Sequence, residues 1–494
     1  MSQATPENPS SGLKNKAISA TFWSGIDTFA RKGIQFGFSL VMARLLTPED
    51  YGVFGVLTVF IAVCAAFIDS GFYKALVQRK EVSTEDLSSV FYFNIGISLL
   101  AAVLLCVAAP WIAAFYAMPV LTPLTRLLAA NLFLGSFCSI QSVLLTRALD
   151  FRRQCMISLA AIVVSGVGAI ILAWQGYGVW SLGIQSIVAT ATTVVLLWGA
   201  SAWRPWWGFS LASIRSLFGF GGFVLLTTLV DTLFTRLNTL VIGKFYSAQD
   251  LGQYSRADGT SILPGDIISG ILGRAAFPIF AAAQHDKEML RAGLRKAITM
   301  VMMLNIPIMI GMAVTAKNLV LVLFGPQWLP CVPYLQILSI GGTMVPLHML
   351  NLNVLLAQGH SNLNFRLELI KKSIAVVVLG STCFISITAI AWGSAFTAII
   401  WFWINAYYSG RLLGYGFMRQ TRDLMPYIGV ASLMAFASYL AIFLPLGNPL
   451  LVLTAQVVIG CAVYVTLCAL FRLQAFVDAR GMILPVIGKF WMRS

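Results

Sequence analysis

The stretch VFGVLTVFIAVCAAFI, Val53 to Ile68, decides what kind of protein this is. It continues to Gly71 with a single charge, Asp69, and so reaches the roughly 20 residues that a helix needs to cross the hydrocarbon layer. Similar runs recur along a chain of 494 residues that is 59% hydrophobic and 10% charged, against roughly 25% charged in soluble domains. A soluble chain of this length would need far more polar surface to cover its core. In lipid, helices satisfy every backbone group internally. The chain is therefore read as an all-α polytopic membrane protein.

Hydropathy predicts about fourteen transmembrane helices, over 18–46, 51–74, 88–116, 122–146, 154–175, 178–202, 213–244, 250–282, 292–316, 333–358, 366–391, 393–411, 425–444 and 449–471. The net charge of +15 would point to nucleic acid in a soluble protein. Here it sorts by topology instead, and no nucleic-acid partner is expected. With the N-terminus inside, alternate connections collect the basic residues, among them Arg79, Arg152, Arg204, Lys296, Lys371 and Arg422. The outer loops keep Arg44, Lys244 and Lys317, as the positive-inside rule requires. Trp111, Trp174, Trp203 and Trp392 fit interfacial belts. Residues 1–16 and 472–494 are read as cytoplasmic tails.

Most of the eight cysteines fall in apolar segments, and there is no CxxC, so neither a disulfide framework nor a metal site is expected. No GxxxxGK[ST] loop is present, and no cofactor is expected.

The sequence also repeats itself. Residues 43–54 read ARLLTPEDYGVF, and 243–254 read GKFYSAQDLGQY, two hundred positions on. Arg44, Pro48, Asp50 and Gly52 belong to the first copy; Lys244, Asp250 and Gly252 hold matching places in the second. Six spans separate the copies, which makes a parallel repeat about an axis along the membrane normal. The expected organisation is an N-terminal lobe over 17–203, a C-terminal lobe over 213–411 and an extra helix pair over 425–471.

Ala43 to Gly52 resembles the first-loop signature of Wzx-type polysaccharide-repeat flippases, within the multidrug/oligosaccharidyl-lipid/polysaccharide exporter superfamily. Leu251 to Ala257, followed by Gly273-Arg274 and Phe277-Pro278, resembles the colanic-acid and exopolysaccharide branch. The resemblance implies two six-helix lobes with an extra pair, and a central cavity lined by spans 1, 2, 7 and 8. It also implies an undecaprenyl-diphosphate-linked oligosaccharide as cargo, carried across the bacterial inner membrane, with no enzymatic activity.

Charges inside the bilayer cost about 2.5–3.5 kcal/mol even on the gentlest scales, so they mark candidate sites. On span 1, Asp27, Thr28, Arg31, Lys32 and Gln35 fall on one face, with Arg31 about 20 Å below Arg44 at 1.5 Å per residue. Span 7 repeats the pattern with Asp231, Arg236 and Asn238, and span 8 carries Arg256, Asp258, Asp266 and Arg274. Pro264-Gly265 is expected to kink span 8. Arginines suit a diphosphate because they grip it bidentately without losing charge. Arg31, Lys32, Gln35, Arg236, Asn238, Arg256, Arg274 and Asn351 are thus candidates for a substrate cavity. Asp27, Asp231, Asp258, Asp266 and His348 are candidates for coupling to H+ or Na+. Local pairing of Arg31 with Asp27, snorkelling of Arg274 and simple packing of His348 are the competing explanations.

Beyond the bilayer and the lipid-linked sugar, a polymerase of the same pathway is a possible partner. A drug or cation antiporter of the same fold would call for an acidic cavity, which Arg31, Lys32 and Arg236 oppose. A membrane-embedded glycan polymerase or glycosyltransferase would present catalytic residues on a substantial outer loop, and the longest here, about 317–332, is short.

Overall fold

The computed structural model describes residues 30–69, 72–79, 81–283 and 286–481, and these are helical with no strand among them. They divide into two compact units, Met1–Gly252 and Gln253–Ser494. Among the described residues ten helices are long and apolar enough to cross a membrane, or eleven when a bent pair counts as one span. The protein is a multi-pass membrane protein. Three expected spans lie outside that set. The first is described only from residue 30, and spans 8 and 11 are helices of 35 and 22 residues that carry several charges.

Unit 1 runs from α1 (30–45) through α2 (Pro48–Asp69), α3 (Phe72–Gln78) and α4 (Thr84–Tyr116). It continues with α5 (Leu121–Gly135), a 3-10 turn, α6 (Ser139–Arg147), α7 (Phe151–Trp174), α8 (Val179–Ala200), α9 (Leu211–Thr235) and α10 (Leu237–Phe245). α4 begins on a capping box, in which the Ser83 hydroxyl accepts from Asp86 N and the Asp86 carboxylate from Ser83 N. Its two faces show how the bundle sits in lipid. Asn94, Ser98, Ala102 and Ala109 are buried, while Leu100, Val103, Leu104 and Val107 are more than half exposed. An apolar stripe facing outward over polar and small residues is what a lipid-covered helix requires. Small residues set the close approaches: a Cβ on Gly166 of α7 would sit 2.6 Å from the Phe38 ring of α1. α9 packs on α2, α3 and α4, so the seventh span joins this unit.

Unit 2 takes up α11 (Ala248–Ala282) beyond its first turn, then α12 (Lys287–Leu323), a 3-10 segment (Pro326–Cys331), α13 (Val332–Gly342) and α14 (Val345–Ala357). α15 (Ser361–Thr382), α16 (Ile387–Leu413), α17 (Phe417–Leu440), α18 (Pro449–Leu470) and a short α19 (474–481) complete it. Its core joins Leu294, Ile298 and Met302 of α12 to Leu347 and Leu350 of α14 and to Tyr427 and Met434 of α17. Tyr415, between α16 and α17, donates to Asp423 Oδ2 at 2.8 Å, and Arg295 of α12 grips both oxygens of that carboxylate at 2.7 and 2.8 Å. Burial, and next the bond to Asp423, push the Tyr415 phenol well above its ordinary pKa, so it remains a donor.

Two local expectations change. The break between the eleventh and twelfth spans falls at 383–386, not beside Trp392-Gly393, because the Ser386 hydroxyl caps Ala389 N and starts α16 there. Trp392 is thereby inside α16, and Arg366, Lys371 and Lys372 are on α15 itself. α11 is one unbroken helix through Pro264-Gly265, and the chain also breaks within the seventh span. There α9 and α10 meet at 41° around Arg236, which has φ −97° and ψ 1°. Neither proline nor glycine sits at that bend, so nothing in the local sequence announces it.

Candidate functional site

Each copy of the repeated loop builds the same helix start. Thr47 Oγ donates to Asp50 Oδ2 at 2.8 Å while Asp50 N reaches Thr47 Oγ at 3.3 Å. Ser247 Oγ donates to Asp250 Oδ2 at 2.7 Å while Asp250 N reaches Ser247 Oγ at 3.1 Å. In both copies the cap hydroxyl satisfies an orphan N–H of the first turn, and in the first the carboxylate also accepts from Thr47 N at 2.9 Å. This pattern is legible in Thr47-x-x-Asp50 and Ser247-x-x-Asp250.

The two loops also fit each other reciprocally. A Cβ on Gly52 would lie 1.7 Å from Ala248 O, and a Cβ on Gly252 would lie 1.7 Å from Pro48 O. Each glycine meets the residue two hundred positions from the other's partner, a self-complementary contact of the kind that two-fold symmetry produces. Lys244 extends from the second loop to Phe115 O at 2.6 Å and lies 4.0 Å from the Phe115 ring centre. Arg44 is exposed.

In unit 1 the structure places Arg31 and Gln35 exposed and Lys32 half-buried on α1. Asp231 and Arg236 are exposed and Asn238 half-buried around the α9–α10 bend. Lipid or water must cover such a surface, and the cost of a guanidinium in hydrocarbon favours water. Asp27 lies outside the described residues. Asp266 and Arg274 lie on α11, with their side chains outside the described set.

Unit 2 redistributes the remaining candidates. Arg256, expected in the cavity, has its guanidinium carbon 4.9 Å from the ring centres of both Phe324 and Trp328. Those rings are 1% and 0% exposed, and Gln253 Nε2 donates to Gln327 O at 2.8 Å beside them. Arg256 thus fastens the 326–331 segment to α11. Asn351 is 1% exposed and exchanges two hydrogen bonds with Gln420 of α17, at 2.9 and 2.8 Å, besides donating to Leu347 O. Its amide is spent inside the core, which removes it from any open path. His348 sits edge-on to Trp401 with ring centres 6.1 Å apart, and its backbone oxygen accepts from Asn405. Its buried Nδ1 has no hydrogen-bond partner among the described residues. Lys371, 3% exposed, pairs with Glu368 one turn back on α15.

Asp258 alone of the acidic candidates in unit 2 has a described setting. Half-buried, it lines a cavity of about 160 Å³ with Ser261, Gly265, Met309, Gly342 and Ser394. Sequence reasoning missed a larger cavity, about 440 Å³, in unit 1. Its walls carry Asn94, Asn131, Ser139 and Thr190. Uncharged polar residues scattered over α4, α5, α6 and α8 give no periodic signal by which a sequence would reveal them.

Comparison with known proteins adds the following. A family described as "Polysaccharide biosynthesis protein" matches residues 41–333. The chain is 27% identical over 376 residues to the lipopolysaccharide biosynthesis protein WzxC of Escherichia coli, covering 74% of this chain and 76% of that protein. It is 27% identical over 408 residues to the succinoglycan biosynthesis transport protein ExoT of Rhizobium meliloti, covering 82% and 80%. Among solved structures, the lipid II flippase MurJ in an inward closed conformation shares the fold with a TM-score of 0.75 at 14% identity, over 91% of this chain and 98% of that one. An inward-facing MATE transporter matches with a TM-score of 0.60 at 15% identity, over 80% and 98%.

Proposed function

The chain belongs to the polysaccharide biosynthesis protein family, and from that premise we propose that it is a flippase for a lipid-linked oligosaccharide. The cargo would be a repeat unit on undecaprenyl diphosphate, moved from the inner to the outer leaflet of the bacterial inner membrane for surface polysaccharide synthesis. The observation that carries the reading is that Arg31 and Arg236 are exposed on membrane-spanning helices of unit 1, with half-buried Lys32 beside the first. Permanent, forked cations fit a diphosphate, and their hydration requires a wet path. Relatives named for lipopolysaccharide and succinoglycan biosynthesis, and a fold shared with a lipid II flippase, support it. No enzymatic step is part of the reading. Deleting the gene should abolish surface polysaccharide and cause lipid-linked repeat units to accumulate at the inner leaflet, as radiolabelled lipid extracts would report. Normal polysaccharide with no accumulation would remove the flippase assignment.

The full chain is proposed to cross the membrane fourteen times with both ends cytoplasmic. The spans form two six-helix lobes in parallel repeat and an extra C-terminal pair. Reporter fusions near Pro48, Gln249 and Pro326 should report the outside, and fusions after Arg152 and Arg422 the cytoplasm. One reproducible reversal would break the scheme.

Transport is proposed to be coupled to a proton or sodium gradient, with Asp258 as the coupling carboxylate. Its place on a small cavity beside Ser261 and Ser394 supports this. A carboxylate there trades desolvation against nearby charge, so protonation and cargo can influence each other reciprocally. In proteoliposomes an imposed gradient should drive lipid-linked sugar movement, and Asp258→Asn should remove that dependence. Transport indifferent to both gradients would end the coupling proposal alone.

A further inference from the structure

The 440 Å³ cavity of unit 1 is within the roughly 300–1,000 Å³ range of small-molecule sites, and among the described residues that line it none is Asp, Glu, Lys, Arg or His. Ile68, Val90, Leu132 and Ile140 supply apolar wall, and Tyr73 an aromatic one. Set into that wall are two carboxamides. Asn94 of α4 is 4% exposed; its Nδ2 makes a long 3.4 Å bond to Ser139 Oγ, and its Oδ1 has no hydrogen-bond partner among the described residues. Asn131 of α5 likewise holds a buried Oδ1 with no such partner. The hydroxyls do not relieve them, because Ser139 donates to Ser136 O and Thr190 to Ser186 O.

Buried amide oxygens left unmet in a membrane bundle are costly, so such a cavity calls for an occupant that donates. A carboxylate or fully ionised phosphate could only accept, and would find no cation among the described residues of these walls. An acyl chain would leave both oxygens unmet. A neutral, hydroxyl-rich ring meets every condition. Its O–H groups donate to Asn94 and Asn131, and its C–H faces lie against the aliphatic wall and Tyr73.

We propose that this cavity is a carbohydrate subsite for one or two neutral sugar residues, with Asn94 and Asn131 as the acceptors that select hydroxyl donors. It is separate from the cations of α1 and of the α9–α10 bend, which would hold the diphosphate. That the sugar arrives on a lipid carrier rests on the flippase reading; that the cavity takes a sugar rests on its lining alone. Under the proposed topology Asn94 is near the cytoplasmic end of α4, where newly assembled cargo would enter.

The test is saturation-transfer NMR on the full chain in lipid nanodiscs. The probes are sucrose, methyl β-galactoside and N-acetylglucosamine, with inorganic pyrophosphate as an anionic control. At least one sugar should show transfer, and pyrophosphate should not displace it. Asn94→Leu with Asn131→Leu keeps volume and removes both acceptors, and should weaken sugar binding by about tenfold or more. Should that double variant aggregate, Gly135→Leu reads the same site. Gly135 lines the cavity, and a Cβ there meets only Thr190 Cγ2, at 3.8 Å, so a branched side chain at this position is expected to take up cavity volume. No transfer from any of the three sugars, or equal transfer with the cavity filled, would mean a pocket holding water, and would overturn the proposal. A gene-deletion phenotype without sugar binding would leave the flippase standing and remove this subsite. Sugar binding without a deletion phenotype would do the reverse.

Discussion

Gly252→Ala is expected to abolish recovery of the folded protein, and Gly52→Ala to do the same. In each case the new methyl would lie 1.7 Å from a backbone carbonyl oxygen, Pro48 O or Ala248 O, far inside van der Waals contact. No flexible side chain is available to give way, because the obstacle is main chain at the capped start of a helix. Relief would require the two loops to part, with loss of their reciprocal seating, a cost of about 4 kcal/mol or more. Detergent extracts run on size-exclusion with a fluorescent fusion should lose the monodisperse peak. Gly168→Ala serves as the control, since nothing lies within 4 Å of its Cβ position and alanine favours a helix. A monodisperse Gly252→Ala protein with unchanged melting temperature would show that the loop contact is not what holds this region together.

Alanine at Arg31 or at Arg236 is expected to remove surface polysaccharide while leaving protein level intact. Both side chains are exposed on unit 1, so truncation opens no cavity in a core. Each lost charge-assisted contact to a diphosphate should slow export by about 10- to 100-fold. Lysine at either position should keep part of the activity if charge matters more than the bidentate fork. Polysaccharide measured per cell against protein on an immunoblot checks this. Full output from both alanine variants would take these residues out of the path.

Hydropathy reveals helices wherever lipid dictates composition, and the runs at 53–68 and 449–471 needed nothing more. The capped loops were equally legible, since Thr47 acts on Asp50 and Ser247 on Asp250, each three residues apart. The rest depended on partners far along the chain. Arg256 looked like a cavity cation because Phe324 and Trp328, which hold it, come about seventy residues later. Asn351 looked free to meet a sugar because Gln420 is 69 positions away. The bend at Arg236 carries no local marker at all. The amides of Asn94 and Asn131 converge only because α4 and α5 pack against each other.

That buried pairing of Asn351 with Gln420 has a mechanical side. Two carboxamides that satisfy each other inside a dry core behave as a key in a keyway. Sliding α17 along α14 by one helical turn, about 5.4 Å, would strand four polar groups where neither water nor another partner can reach them. Ser438 and Gln456 latch α17 to α18 through bonds of 2.9 and 3.2 Å, and Tyr464 pins α18 to Met303 O on α12 at 2.7 Å. The last two long helices are consequently geared to α12 and α14. During a transport cycle they can turn with those helices as one block, but a piston-like stroke along the membrane normal is locked out.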